Sequence, residues 1–362
     1  MAGGVSGYAA LCARVRVKYS RLLSPSEIRI LGEAADFAAL IEGLKRTAYG
    51  PVLETLRDQE STPTTVTAAL RSHLSAEARS VIQQAPGTAR RVLAQLHRRH
   101  ELNNLKAILR GIAAGTAGDG GALVGARTET LLFPLGDSSS LPVERMLESG
   151  NIAAAIELLR GTLYHETLFF ALKRYSSELS LFPLEVALDL SHWRRLWQEA
   201  HKLSGEDQTQ AVRVVGALVD TNNLMWAIRY RIYKHLSEEE LINYTLPFGH
   251  RIQDSDIRAI AAGGDIASIV RRAFADLADA DALLEEPHRG LPRLEIELKR
   301  SVVRRCMGSF LGNPFHIGIP LAYMVLHDLE VQDLVVLLEA KFTQIPSDEY
   351  RPYLLSGAGV PA

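Results

Sequence analysis

The stretch Asp36–Tyr49, DFAALIEGLKRTAY, is written again at Asn151–Tyr164 as NIAAAIELLRGTLY. The two agree at Ala38/Ala153, Ala39/Ala154, Ile41/Ile156, Glu42/Glu157, Leu44/Leu159, Thr47/Thr162 and Tyr49/Tyr164. Chance would give about one match, so the chain carries an internal repeat, which restricts the fold more than any other feature. A fainter third copy, DIASIVRRAF, opens at Asp265, so the starts are 115 and 114 residues apart. Other landmarks keep the same interval. LLFPLG (Leu131–Gly136) and YTLPFG (Tyr244–Gly249) set Pro134 and Pro247 113 residues apart. Downstream of the copies come NNLKAILRG from Asn103, NNLMWAIRY from Asn222 and a degraded VQDLVVLLEAK from Val331. The interval predicts three units, at residues 1–120, 121–238 and 239–362.

Each unit reads as helical. Phe37, Ile41, Leu44 and Ala48 fall at helical spacing, as do Ile152, Ile156, Leu159 and Leu163. Asp36, Asn151 and Asp265 stand where an N-cap is needed, and Gly50-Pro51 ends the first copy. Sustained strand-like alternation is hard to find, so the expected class is all-α. With 47% hydrophobic and 23% charged residues, the chain can bury a core. The glycine-rich Gly111–Arg127 reads as the linker between units one and two, and Ser237–Ile252 as the second linker. The glycine-rich segment contains no lysine, so it does not match a phosphate-cradling loop.

Composition narrows the function classes. A net charge of −2 gives no global attraction for nucleic acid or anionic lipid, so any charged partner must be met by a local patch. Two cysteines, Cys12 and Cys306, exclude a disulfide framework and a cysteine-based zinc site. Arg14, Arg16 and Lys18 interrupt the N-terminal apolar stretch, so it does not read as a signal peptide. The best apolar run, IGIPLAYMVL, is too short to cross a bilayer; any work at a membrane is expected through another protein, without direct insertion. His97 and His100 in HRRHEL have metal-compatible spacing but no further ligands in phase, and read as part of a basic face. There is no Gly-x-Ser-x-Gly elbow or dinucleotide fingerprint, so no catalysis and no cofactor are expected.

The Asn-Asn-Leu blocks have two readings. Asparagine disfavours helix interiors because its amide competes for backbone hydrogen bonds, yet Asn103-Asn104 and Asn222-Asn223 lie within helical patterns. Arg110 and Arg229 follow two turns later, whereas the third block has Asp333-Leu334 and puts Glu339 at the arginine position. These groups either bond helix to helix inside the protein or line a surface offered to a partner.

Together GYAALCARVRVKYSRLLSPSEI, DFAALIEGLKRTAYGP, HELNNLKAILRG, NNLMWAIRYRIY and YMVLHDLEVQDLVVLLEAK resemble the C subunit of prokaryotic V-type (A-type) ATPases, itself similar to the eukaryotic d subunit. The resemblance covers essentially the whole chain. It implies a funnel of three similar helical domains about a pseudo-threefold axis. It also implies a non-enzymatic rotor coupling, one copy per complex, between the membrane proteolipid ring and the central shaft of D and F subunits. Candidate contacts are Arg14, Arg16, Lys18 and Arg21 near the N-terminus, the His97–His100 turn with Arg98 and Arg99, then Arg110, Arg229 and Arg231; each is equally compatible with a solvated charge. The competing reading is a helical-repeat scaffold unrelated to ATPases.

Overall fold

Helix starts in this chain are set by short polar side chains that accept from exposed backbone amides. Asp36 accepts from the Ala39 N–H at 2.8 Å, Asn151 from Ala154 at 2.8 Å and Asp265 from Ala267 at 3.0 Å. Satisfying these orphan donors fixes the N-termini of the helices Phe37–Lys45, Ile152–Glu157 and Ile266–Ala273. Full capping boxes, Ser24 with Glu27 and Thr62 with Thr65, start Pro25–Gly32 and Pro63–Gln84, each with proline in the first turn. The computed structural model describes residues 3–56, 61–116, 128, 130–275, 277 and 280–356. Among them there is no strand, and the protein is all-α.

All three copies bury the same positions. Leu40, Ile41 and Leu44 in the first correspond to Ala155, Ile156 and Leu159 in the second and to Ile269, Val270 and Ala273 in the third, and all are buried. The face is turned slightly from the one expected: Leu40 is inside, while Ala48 is exposed and Leu163 is 43% exposed. These two lie beyond the ends of their helices at Lys45 and Glu157.

The chain forms two compact units, residues 94–196 and residues 1–93 with 197–362. In the smaller, Leu105, Ile108 and Leu109 of the long helix Gly87–Thr116 pack with Met146, Ile156, Leu159, Leu168 and Leu184. In the larger, Gly318–Phe342 packs against Gly3–Tyr19, Pro63–Gln84, Gly205–Arg229 and Pro287–Gly308. Residues 316–331 are buried without a break, which explains the apolar run IGIPLAYMVL: a helix enclosed on all sides is apolar on all sides. Among the described residues no helix is long and apolar enough to cross a membrane.

Both expected linkers contain helix. Gly87–Thr116 runs through the first six residues of the glycine-rich segment, and residues 117–127 lie outside the described residues. Within the second linker, Ser237 and Glu240 form a capping box that starts Glu238–Asn243.

Candidate functional site

Three long helices each carry an acid followed three positions later by Asn or Asp: Glu101 and Asn104, Asp220 and Asn223, Glu330 and Asp333. That spacing puts both side chains on one helix face. All six are buried, so each must find partners within the protein.

The amide position grips backbone. Asn104 donates to the Phe133 carbonyl at 2.8 Å and accepts from the Phe133 N–H at 2.7 Å. Asn223 does the same to Leu246, at 2.9 and 2.8 Å. Phe133 and Leu246 are equivalent residues of LLFPLG and YTLPFG, so the amide's paired donor and acceptor match one peptide residue. Asp333 cannot donate when ionised, and its target differs accordingly: it accepts from Leu355 N–H (2.7 Å), Ser356 N–H (2.9 Å) and Ser356 Oγ (2.5 Å). The asparagines therefore bond inside the protein, to incoming segments rather than to a neighbouring helix. Asn222 donates back to Leu218 O, and Asn103 is exposed.

The acid position holds the stretch that leads into the next pair of short helices. Glu101 accepts from Ser140 N–H, Ser140 Oγ (3.0 Å), Ser139 Oγ (3.3 Å) and Tyr164 Oη (2.7 Å). Asp220 accepts from the amides of His250, Arg251 and Ile252, at 2.8, 2.9 and 3.2 Å. Glu330 accepts from Leu23 N–H and Tyr49 Oη, both at 2.7 Å. Tyr49 and Tyr164 end the first two copies, and the threonine two residues earlier shapes the turn that aims them. Thr47 Oγ1 donates to Leu44 O and Thr162 Oγ1 to Leu159 O, each at 2.7 Å. The identity of Thr and Tyr between the copies is thus the signature of one acid–tyrosine contact made twice.

Electrostatics separates these acids. Burial raises the Asp220 and Asp333 carboxyls against the amides that pull them down. Burial pushes Glu330 up to about 8, opposed by Tyr49 and the Leu23 amide and reinforced by Asp333 and Glu27. Burial and the adjacent carboxylate raise the phenols of Tyr49 and Tyr164. Beside Glu330 lies a cavity of about 60 Å³ lined by Lys18, Arg21, Tyr49, His73, Glu77, Tyr323 and His327. Burial lowers His73 and brings His327 down to about 4.

Most of the cations singled out in the sequence are engaged within the chain. Arg14 donates to Gln84 Oε1 (2.5 Å), and Lys18 pairs with Glu77. Arg16 donates to Phe310 O (3.0 Å) and lies over its ring. Arg110 pairs with Glu185 at 2.6 Å and Arg229 with Glu295 at 2.5 Å. Arg231 donates to Ile260 O and Ala261 O, at 2.9 and 2.6 Å, where the Asp254–Ala261 helix ends. His97 is buried beside His100, which stacks on Phe133 with ring centroids 3.9 Å apart. Arg98 is exposed and donates to Gln95, Arg99 is half-buried, and Arg21 is exposed. Lys18 and Arg21 meet at one cavity; the other cations are dispersed.

Sequence reasoning overlooked the three acids. Their signal was the acid-x-x-Asn/Asp spacing shared by all three downstream blocks, which a search for Asn-Asn-Leu hides because the third block lacks it.

Fold and site define a class: an all-helical repeat protein whose buried acids and amides fasten segments distant in sequence. The chain belongs to the ATP synthase (C/AC39) subunit family, which matches residues 11–353. It is similar to the C subunit of the A-type ATP synthase of Methanocaldococcus jannaschii, 24% identical over 96% of this chain and 86% of that protein. The corresponding protein of Methanothermobacter thermautotrophicus is 24% identical over 91% of this chain and 82% of its own length. The C subunit of the V-type ATP synthase of Deinococcus radiodurans is 24% identical over 95% and 90%.

Proposed function

We propose that this chain is a non-catalytic central-stalk rotor subunit of a V-type or A-type ATPase. One copy per complex sits as a socket on the cytoplasmic face of the membrane, peripheral to it, with the proteolipid ring on one side and the D and F subunits of the shaft on the other. The observation that carries this reading, beside family membership, is the clamp made three times. Glu101 and Asn104 hold the entry to the second copy, Asp220 and Asn223 the entry to the third, and Glu330 the entry to the first. A cyclic order of this kind supports three units, at residues 1–120, 121–238 and 239–362, arranged as a pseudo-threefold funnel. Such a form suits a socket on a rotationally symmetric ring. Packed helices tied by buried hydrogen bonds resist deformation, which torque transmission requires.

Partner contacts fall to cations that remain accessible, Arg14, Arg21, Arg98 and Arg110, since the others serve the fold more directly. The test is binding by the purified chain to the shaft pair and, separately, to a detergent-solubilised proteolipid ring. Both are expected to bind, at separable surfaces, and charge reversal at Arg14 and Arg21 is expected to weaken one interaction and reduce its salt dependence. Failure of the unmutated chain to bind either partner would overturn the rotor reading.

A further inference from the structure

A cavity of about 410 Å³ lies between the helix Pro25–Gly32 and residues 350–356, all within the larger compact unit. That volume falls in the range of small-molecule sites, about 300–1,000 Å³. Its walls are mostly apolar, with Ile28 and Leu354 buried in them. Hydrogen bonds fix both walls. Tyr350 Oη donates to Gly32 O at 2.7 Å and so joins one wall to the other. Arg300 donates to Pro352 O (3.2 Å) and Leu354 O (2.6 Å), while Asp333 accepts from the Leu355 and Ser356 amides. The fold therefore holds the cavity open without a ligand's help.

Its polar groups divide into committed and free. Tyr350 donates to Gly32, Ser356 Oγ donates to Asp333, and Ser26 Oγ shares a hydrogen bond with Ser24 Oγ at 2.9 Å. The Glu27 amide is taken by Ser24, those of Leu355 and Ser356 by Asp333, and Pro25 has no amide hydrogen. Two guanidiniums are left. Arg29 and Arg351 are exposed, one on each wall, and neither side chain has a hydrogen-bond or ion-pair partner among the described residues. There is no acid among the described residues that line the cavity. Glu33, Asp348 and Glu349 are close in the chain but pair with neither arginine, and Glu27 is spent on the Ser24 cap.

We propose that this cavity binds a small amphipathic carboxylate, its hydrocarbon body against Ile28 and Leu354 and its head at Arg29 and Arg351. The body is assigned by what the walls lack. A buried peptide would bring N–H and C=O groups for which the cavity has no free partner beyond the two guanidiniums, whereas hydrocarbon brings none. The head is assigned by the two arginines, whose planar forks give paired N–H···O bonds to the two oxygens of a carboxylate. A phosphate is usually cradled by converging backbone N–H groups, and the amides of Glu27, Leu355 and Ser356 are already taken. The site goes beyond the rotor reading and does not rest on it.

Calorimetric titration of the full chain with decanoate tests the proposal. Saturable binding of a single decanoate per chain is expected, with decanol several-fold weaker and acetate without measurable binding. Arg29→Gln/Arg351→Gln removes two exposed charges that bond nothing in the fold, so the melt should not change, while decanoate should weaken about tenfold and decanol should not. Ser26→Trp, which crowds the cavity from an exposed position, should weaken decanoate and decanol alike. An equal loss of charge in the other compact unit, Lys173→Gln/Arg194→Gln, should leave both as in wild type. Absence of saturable binding, several ligands per chain, decanol as tight as decanoate, or equal decanoate binding by the Arg29/Arg351 and Lys173/Arg194 variants would overturn the proposal. So would tighter binding of decyl phosphate, which would mark a phosphate site, or binding confined to a chain shortened after Ser356, which would make residues 357–362 the occupant.

Discussion

Glu101 and Glu330 occupy equivalent positions, each on a long helix and each bonded at 2.7 Å to the tyrosine that ends a copy of the repeat. They differ in what else reaches them. The side-chain and tyrosine partners of Glu101 lie 38 to 63 residues away along the chain, and its incoming segment Ser139-Ser140 supplies one amide and two hydroxyls. The partners of Glu330 lie 281 and 307 residues away and supply one amide and one phenol. The serine that could have added a donor, Ser24, is committed elsewhere: its Oγ accepts from Glu27 N–H and donates to Glu27 Oε2 in the capping box that starts Pro25–Gly32. The same device thus fastens neighbouring segments in one region and the two ends of the chain in the other. In the second case the helix cap takes the hydroxyl, and burial raises the Glu330 carboxyl against only two donors, Tyr49 and the Leu23 amide.

The largest effect is expected at the third member of the set. Asp220→Ala strands three backbone amides, that of Ile252 buried and those of His250 and Arg251 part-buried; an unpaired buried donor costs about 1–3 kcal/mol and a part-buried one less, so urea unfolding should show a loss of about 3 kcal/mol. Glu330→Ala, which releases two donors and a carboxyl already costly to ionise, should lose less, about 1–2 kcal/mol. An equal loss at the two positions would break the distinction. Next comes exchange of amide and acid. Asn104→Asp sets a carboxylate against the Phe133 carbonyl, and Asp333→Asn turns an NH₂ toward the Leu355 or Ser356 amide; each should cost about 1–2 kcal/mol by the same assay. The smallest effect is removal of one hydroxyl. Tyr164→Phe and Tyr49→Phe should each cost about 1 kcal/mol. Tyr49→Phe should also move the Glu330 titration to higher pH, because the lost donor favours the ionised carboxyl, and a pH series of melts would detect it.

Much of this was legible in the sequence. The helical class and the three short helices follow from apolar spacing and from Asp36, Asn151 and Asp265, whose caps are local interactions between residues two or three apart. Identity at Thr47/Thr162 and Tyr49/Tyr164 was visible, but its cause was not, because the tyrosines reach residues 63 and 281 positions away. The substitution of Asp333 for Asn looked like decay of the motif. It is a change of target, from one peptide's N–H and C=O to two N–H groups and a hydroxyl at the chain's end. Charge was the least legible property, since a run such as Arg14, Arg16 and Lys18 does not disclose that Gln84, Phe310 and Glu77 will meet it.

The claim that the chain-end clamp holds the Glu330 carboxyl raised is tested most directly by unfolding free energy between about pH 6.5 and 9, read as the difference between wild type and Glu330→Gln so that groups common to both, the histidines included, cancel. A carboxyl whose folded pKa is raised contributes stability that is complete below its unfolded value, about 4.3, and that is lost as pH rises through the folded value, here about 8. Wild type should therefore lose stability across this window relative to Glu330→Gln, which keeps an acceptor without a titrating proton. Parallel curves for wild type and Glu330→Gln would contradict the account.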